Sequence, residues 1–114
     1  MAFSISAGLL DAMVLAIVNN EDTYGYKITQ EVRNAMEVSE STLYPVLRRL
    51  QKDSLLEIYD MPYMGRNRRY YKITQKGVKT LEVFRYEWQD YKNKIDNIIL
   101  VGGAQWIEKN TWVF

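Results

Sequence analysis

Arg66, Arg68, Arg69 and Lys72 interleave with Tyr63, Tyr70 and Tyr71 in one short stretch of the chain. Guanidinium groups grip phosphate oxygens as a fork and enter a narrow minor groove, so these residues speak for anion binding and not for bond making. Strand alternation puts Arg68 and Tyr70 on one face and Arg69 and Tyr71 on the other, so not all the bases can reach one ligand. Arg66 and Arg68, nearest the tip, are expected to reach furthest out, while Tyr71 and Ile73 are expected to pack inward. The 114 residues contain no histidine and no cysteine, which removes disulfides, thiolate catalysis, the usual zinc sites and the commonest general base. No glycine-rich phosphate loop and no nucleophile-base pair occurs either. No catalytic residue, metal or cofactor is therefore expected, and the chain does not read as an enzyme.

A second polar set lies upstream of the arginines. Ser39 is a good cap for a helix whose Leu43, Val46, Leu47 and Leu50 face inward. The turn Glu37-Val38 separates it from a preceding helix, a length suited to helix-turn-helix packing. In that geometry the second helix enters the major groove by its first residues, which makes Glu40, Ser41, Thr42, Tyr44 and Arg48 the groove-facing set. Tyr24, Lys27 and Arg69 complete the candidate DNA contacts. Pro45 inside the helix removes one ladder bond and predicts a local bend.

The remaining elements must position these groups. A first helix over Leu9 to Val18, with Ser4 or Ser6 as cap, is apolar nearly all round and so must be covered on more than one side, the second cover being another subunit. Thr23 is expected to cap the next helix, in which Ile28, Val32 and Met36 recur at helical spacing. Strands at 56–61 and 68–73, joined by a turn over 62–67 containing Gly65, predict a two-stranded wing. Thr74 caps a last long helix in which Leu81, Phe84, Trp88, Tyr91, Ile95 and Ile98 form a heptad seam, the pattern of a helix that pairs with its copy. Gly102-Gly103 ends it, and the apolar tail with Trp106, Ile107, Trp112, Val113 and Phe114 is expected to fold back on the dimer.

The fold class is mainly α with a small β-hairpin. Its expected divisions are a DNA-binding unit over 1–73, a dimerisation helix over 74–101 and the tail over 102–114. The net charge of +1 hides an uneven distribution: residues 24–80 carry eleven Lys or Arg against six Asp or Glu, a net of +5. An anion-binding surface in the middle of the chain requires that asymmetry. The apolar run over 9–18 is too short to cross a bilayer, and no basic leader precedes it, so a cytoplasmic protein with no membrane partner is expected.

Y-G-Y-K-I at 24–28, S-T-L-Y-P-V-L-R-R-L at 41–50 and G-R-N-R-R-Y-Y-K-I-T-Q-K-G at 65–77 closely resemble the PadR family of bacterial transcriptional regulators. The resemblance covers roughly residues 5–100. It implies a winged helix-turn-helix, a C-terminal dimerisation helix, and repression by a homodimer on a double-stranded, pseudo-palindromic operator. The length is similar to that of the shorter, multidrug-responsive members. In those, a tryptophan of the last helix lines a pore for a small aromatic or drug-like effector, which here implies a site from Leu10, Met13, Val14, Trp88, Tyr91 and Lys92. Lys92 stands where a cation-binding relative has an acid, which counts against a cationic drug and suits a phenolic acid, with Lys92 or Tyr91 as its partner. Asp11 is a further acid whose facing the sequence leaves open. The rival reading is a winged-helix module whose basic hairpin meets an acidic protein.

Overall fold

The element order follows from two well-formed caps and a tight hairpin, seen in a computed structural model that describes residues 7–100. In chain order these are α1 (Ala7–Asn20), β1 (Thr23–Tyr24), α2 (Gly25–Ala35), α3 (Glu40–Lys52), β2 (Leu56–Tyr63), β3 (Arg66–Ile73) and α4 (Gln75–Ile99). The proposed caps Ser4 and Ser6 and the tail over 102–114 lie outside the described residues. Two compact units are present, one ending at Glu82 and the other beginning at Val83.

In the first unit, Leu10, Val14, Leu15 and Val18 of α1 meet Ile28 and Val32 of α2 and Leu43, Val46, Leu47 and Leu50 of α3. Leu56, Tyr71 and Leu81 close that core from the sheet and from the start of α4. The Ser39 hydroxyl accepts from the Thr42 amide at 3.3 Å, the expected cap of α3. At the other end Ser54 takes the left-handed conformation (φ 62°). The Leu55 amide then reaches the Leu50 carbonyl at 2.9 Å and the Ser54 amide the Gln51 carbonyl at 3.0 Å, a Schellman closure. Pro45 is carried within α3. Arg49 clamps α3 to α1 through two hydrogen bonds to the Asp11 carboxylate, at 2.6 and 2.8 Å. Asp11 is thus committed to its own domain and not to the wall of an effector site.

Three expectations are corrected by the strand pairing. Thr23 does not cap α2: it is a strand residue paired with Tyr71, and Tyr24 occupies the cap position without a side-chain bond. The sheet accordingly has three antiparallel strands in the order β1-β3-β2, not two. The turn is also tighter than 62–67. Tyr63 pairs with Arg66, and only Met64 (φ 51°) and Gly65 (φ 79°) stand between them, the two positive angles of a type I′ hairpin. Pro62 pairs with Asn67 in edge strand β2, next to the turn-flanking pair. At that alternate position the inward hydrogen bonds are not made, so the missing N–H costs nothing.

The start of α4 is fastened to the end of α3. Thr74 accepts from the Gly77 amide at 3.0 Å, donates its hydroxyl to the Ser54 carbonyl at 2.7 Å, and donates its own amide to the Leu55 carbonyl at 3.1 Å. A Cβ on Gly77 would lie 2.3 Å from the Leu55 carbonyl oxygen, so only glycine allows this approach. From Val83 onward α4 exposes Tyr86, Trp88, Tyr91 and Ile98, with Phe84 and Ile95 half-buried and an Asp90–Lys94 ion pair at 3.0 Å along its surface. Gly77→Ala is expected to lower stability by about 1–3 kcal/mol despite alanine's better helix propensity, because backbone must move. A thermal melt equal to that of the parent would show that α4 is not seated on Leu55.

Candidate nucleic-acid interface

Seating Leu43, Leu47 and Leu50 in the core fixes the rotation of α3 about its axis. Ser41, Pro45 and Arg48, spaced four and three residues apart, then share the outward face. Glu40 and Thr42 are exposed on its flanks. Ser41 and Thr42 both hydrogen-bond the Ser39 hydroxyl, at 2.8 and 3.0 Å, so the first turn of α3 presents an ordered cluster of hydroxyls. Tyr44 is half-buried and lies beside Gly25 at the start of α2.

Between this helix and the sheet runs an open groove of ≈820 Å³, lined among others by Tyr24, Tyr44, Arg48, Arg69 and Tyr71. Register explains its make-up. Tyr71, Arg69 and Asn67 alternate onto the face of β3 that covers the core, and beyond the core they overhang the groove. Asp60, opposite Arg69, lines the same groove, as do Asn67 and Tyr26. Sequence reasoning missed these three; the register opposite Arg69 finds Asp60, and alternation along β3 with Arg69 and Tyr71 finds Asn67. Arg66 is exposed at the tip, opposite Tyr63. Lys27 stands 4.0 Å from Glu21, at the start of α2.

Arg68 departs from expectation. It does not project from the tip: with Tyr24 it lines the rim of the same groove, its guanidinium 3.7 Å from the Tyr24 ring and 3.8 Å from the Tyr63 ring. It also donates to the Tyr70 hydroxyl, the contact that does most to raise its pKa above the ordinary value. Strand alternation does separate Arg68 and Tyr70 from Arg69 and Tyr71.

The expected effector residues are divided between the two units. Leu10 and Val14 are buried in the core of the first, Val14 with no exposed surface, so neither is an open wall; Met13 is half-buried. Leu81 is likewise 2% exposed within its own core and has no surface left for a partner. On α4, Trp88 and Tyr91 lie one turn apart with ring centroids 6.1 Å from each other, and Lys92 is exposed beside them in sequence. Among the described residues no acid-rich cluster could hold a metal ion, and no helix is long and apolar enough to cross a membrane.

Residues 14–83 match the model of the Transcriptional regulator PadR-like family, a span that takes in the helix-turn-helix, the wing and the seat of α4. The chain belongs to that family. An uncharacterised protein of Lysinibacillus sphaericus is 38% identical over 98 residues, covering 81% of this chain and 89% of the relative. Transcriptional regulator Rv3488 of Mycobacterium tuberculosis is 41% identical over 59 residues, which cover 51% of this chain and 55% of that one. Among solved structures, smu.1704 from Streptococcus mutans superposes with a TM-score of 0.81 at 41% identity, covering 87% of this chain and 93% of that one. The PadR-like regulator BC4206 of Bacillus cereus gives 0.75 at 34% identity, with coverages of 81% and 92%. The winged helix-turn-helix with a long C-terminal helix is thus the PadR fold, and the protein is a DNA-binding transcriptional regulator.

Burial, partly offset by Arg69 and Arg48, raises the Tyr71 pKa above the usual tyrosine range. A raised folded-state pKa gives stability that is whole below the unfolded value of about 10 and is lost as pH climbs toward the folded one. Tyr71→Phe is expected to blunt the alkaline loss of stability, measured as urea midpoints at neutral pH and above about pH 10. An unchanged pH profile would mean that the hydroxyl is solvated.

Proposed function

We propose that this chain is a dimeric, effector-responsive repressor that binds a pseudo-palindromic operator in the cytoplasm. The observation that carries the proposal is the shared groove: Tyr44 and Arg48 of α3 and Arg69 of β3 converge on one concavity, as a helix in the major groove beside a wing on the backbone requires. Glu40, Ser41, Thr42, Tyr44 and Arg48 address the major groove, with base-edge contact from Arg48 and phosphate contact from the first turn of α3. Arg66 and Arg69 meet the wing-side backbone, and Tyr24 and Lys27 border the groove at the start of α2. Arg68 lines the same groove with its guanidinium held among rings.

Dimerisation is supported by α4, where Trp88 is 44% and Ile98 78% exposed on a seam that continues through Phe84, Tyr91 and Ile95. Water-facing aromatic and aliphatic side chains at heptad spacing favour a partner helix. Two subunits so joined hold two recognition helices at one separation. An effector wedged beside Trp88, Tyr91 and Lys92 that prefers another separation shifts the population away from the DNA-competent state. Lys92 favours an anionic aromatic effector. By analogy with the shorter, drug-responsive members, the regulated genes encode transporters or stress proteins.

Duplex affinity is expected to fall with salt at a log-log slope near −0.9 per phosphate contacted, and Arg48→Ala or Arg69→Ala to weaken it about tenfold each. A pure protein with no duplex affinity at low salt would instead favour the protein-contact module. Trp88→Glu or Ile95→Glu is expected to give monomers by sedimentation and to abolish operator binding. A native protein that is monomeric at micromolar concentration would overturn the dimer.

A further inference from the structure

Past Tyr24 the sheet loses its third strand. β1 ends opposite Tyr70, and from the pair Asp60–Arg69 outward the wing continues as two strands alone. A two-stranded ribbon is marginal by itself. Residues 61–67 are all exposed, so no core contact sets where the tip points. One side chain bridges the gap. Arg68, on the middle strand, lies between the Tyr24 ring of β1 at 3.7 Å and the Tyr63 ring of β2 at 3.8 Å, and bonds the Tyr70 hydroxyl. Tyr24 stands edge-on to Tyr70 at 5.8 Å, and Tyr59 stacks on Tyr70 at 5.6 Å while donating its hydroxyl to Asp22 at 2.8 Å. The Arg68 Nε is shut away from solvent and has no acceptor, so rings rather than oxygen atoms hold most of the group. Tyr24 is also the residue from which α2 starts.

We propose that Arg68 is a positioning residue for DNA binding. Clamped between Tyr24 and Tyr63, its guanidinium locks the angle of the wing to the helix-turn-helix, so that Arg66 and Arg69 meet the duplex in register with Arg48. Arg68 lines the groove, and its part there is to hold the wing. The consequence rests on the DNA-binding function, whereas the clamp is a property of the free protein. Lysine cannot replace it, because an ammonium is a compact point charge without a plane to stack.

The test uses the full chain and its Arg68→Lys, Tyr63→Leu and Tyr63→Phe variants. Amide hydrogen exchange reads the free protein, and fluorescence anisotropy reads binding to a mixed-sequence duplex of about 20 base pairs, two helical turns. Arg68→Lys and Tyr63→Leu are expected to speed exchange across 60–69, leave α1, α2 and α3 protected, and weaken duplex binding about tenfold. Tyr63→Phe, which keeps the ring, should stay within about twofold of the native protein in both readouts. In the Arg68→Lys background, Arg66→Ala should cost less than it does in the native protein, since a loose wing no longer delivers it. Native-like exchange and binding in Arg68→Lys would overturn the proposal, because a point charge would then suffice. Faster exchange throughout α1, α2 and α3 would also overturn it, as a general loss of stability. If the native protein binds no duplex, the positioning role falls together with the DNA-binding function; if it binds and wing exchange does not respond, the clamp alone fails.

Discussion

Leu43, Leu47 and Leu50 of α3 have no exposed surface, and their burial in the α1–α2 core leaves that helix one permitted rotation. Each contributes about 1.5–3 kcal/mol by leaving water, more than any surface contact on the same helix offers. Once they are inside, Ser41, Pro45 and Arg48 can only face out, Tyr44 must lean toward the sheet, and Arg49 must reach back to Asp11. The outward residues carry the chemistry, but the inward ones decide where it points. The Asp11–Arg49 fork and the Schellman closure at Ser54 hold the C-terminal end of the same helix, and the Ser39 cap holds its start.

The sheet depends on that seat in turn. Tyr71 covers the core beside α3, and alternation along β3 then carries Arg69 and Asn67 over the groove while turning Arg68 and Tyr70 to the other face. Neighbouring arginines in sequence are therefore held differently: Arg69 lines the concavity from the core-covering face, and Arg68 reaches its rim stacked between tyrosines. Asp60 opposite Arg69 places a carboxylate within the basic groove. In the proposed reading, charge draws DNA to this face, and the shape set by α3 and the wing determines how it is met.

Much of this was legible in the residues. Ser39 and Thr74 mark their helices because a hydroxyl three residues ahead of an amide caps it without help from the rest of the fold. Thr23 misleads for the same reason: it has the chemistry of a cap, but pairing with Tyr71 uses it as a strand, and two residues are too few for a strand to show periodicity. Pro62 and Asn67 look like turn residues, yet at the edge of a two-stranded ribbon they form an ordinary pair, and the turn contracts to Met64-Gly65. The capture of Arg68 is a tertiary event. Its face can be read from alternation, but the arrival of Tyr24 from 44 residues upstream cannot. Leu10, Val14 and Leu81 fit an apolar wall or a seam by type; only packing assigns them to the core.

The most direct measurement is the set of backbone amide shifts that a short mixed-sequence duplex induces in the isotope-labelled protein at low salt. A groove built by α3 and the wing predicts that shifts concentrate on the first two turns of α3 and on 66–69, and that they fade as salt is raised. Shifts confined to α4, or none at all on α3, would contradict it.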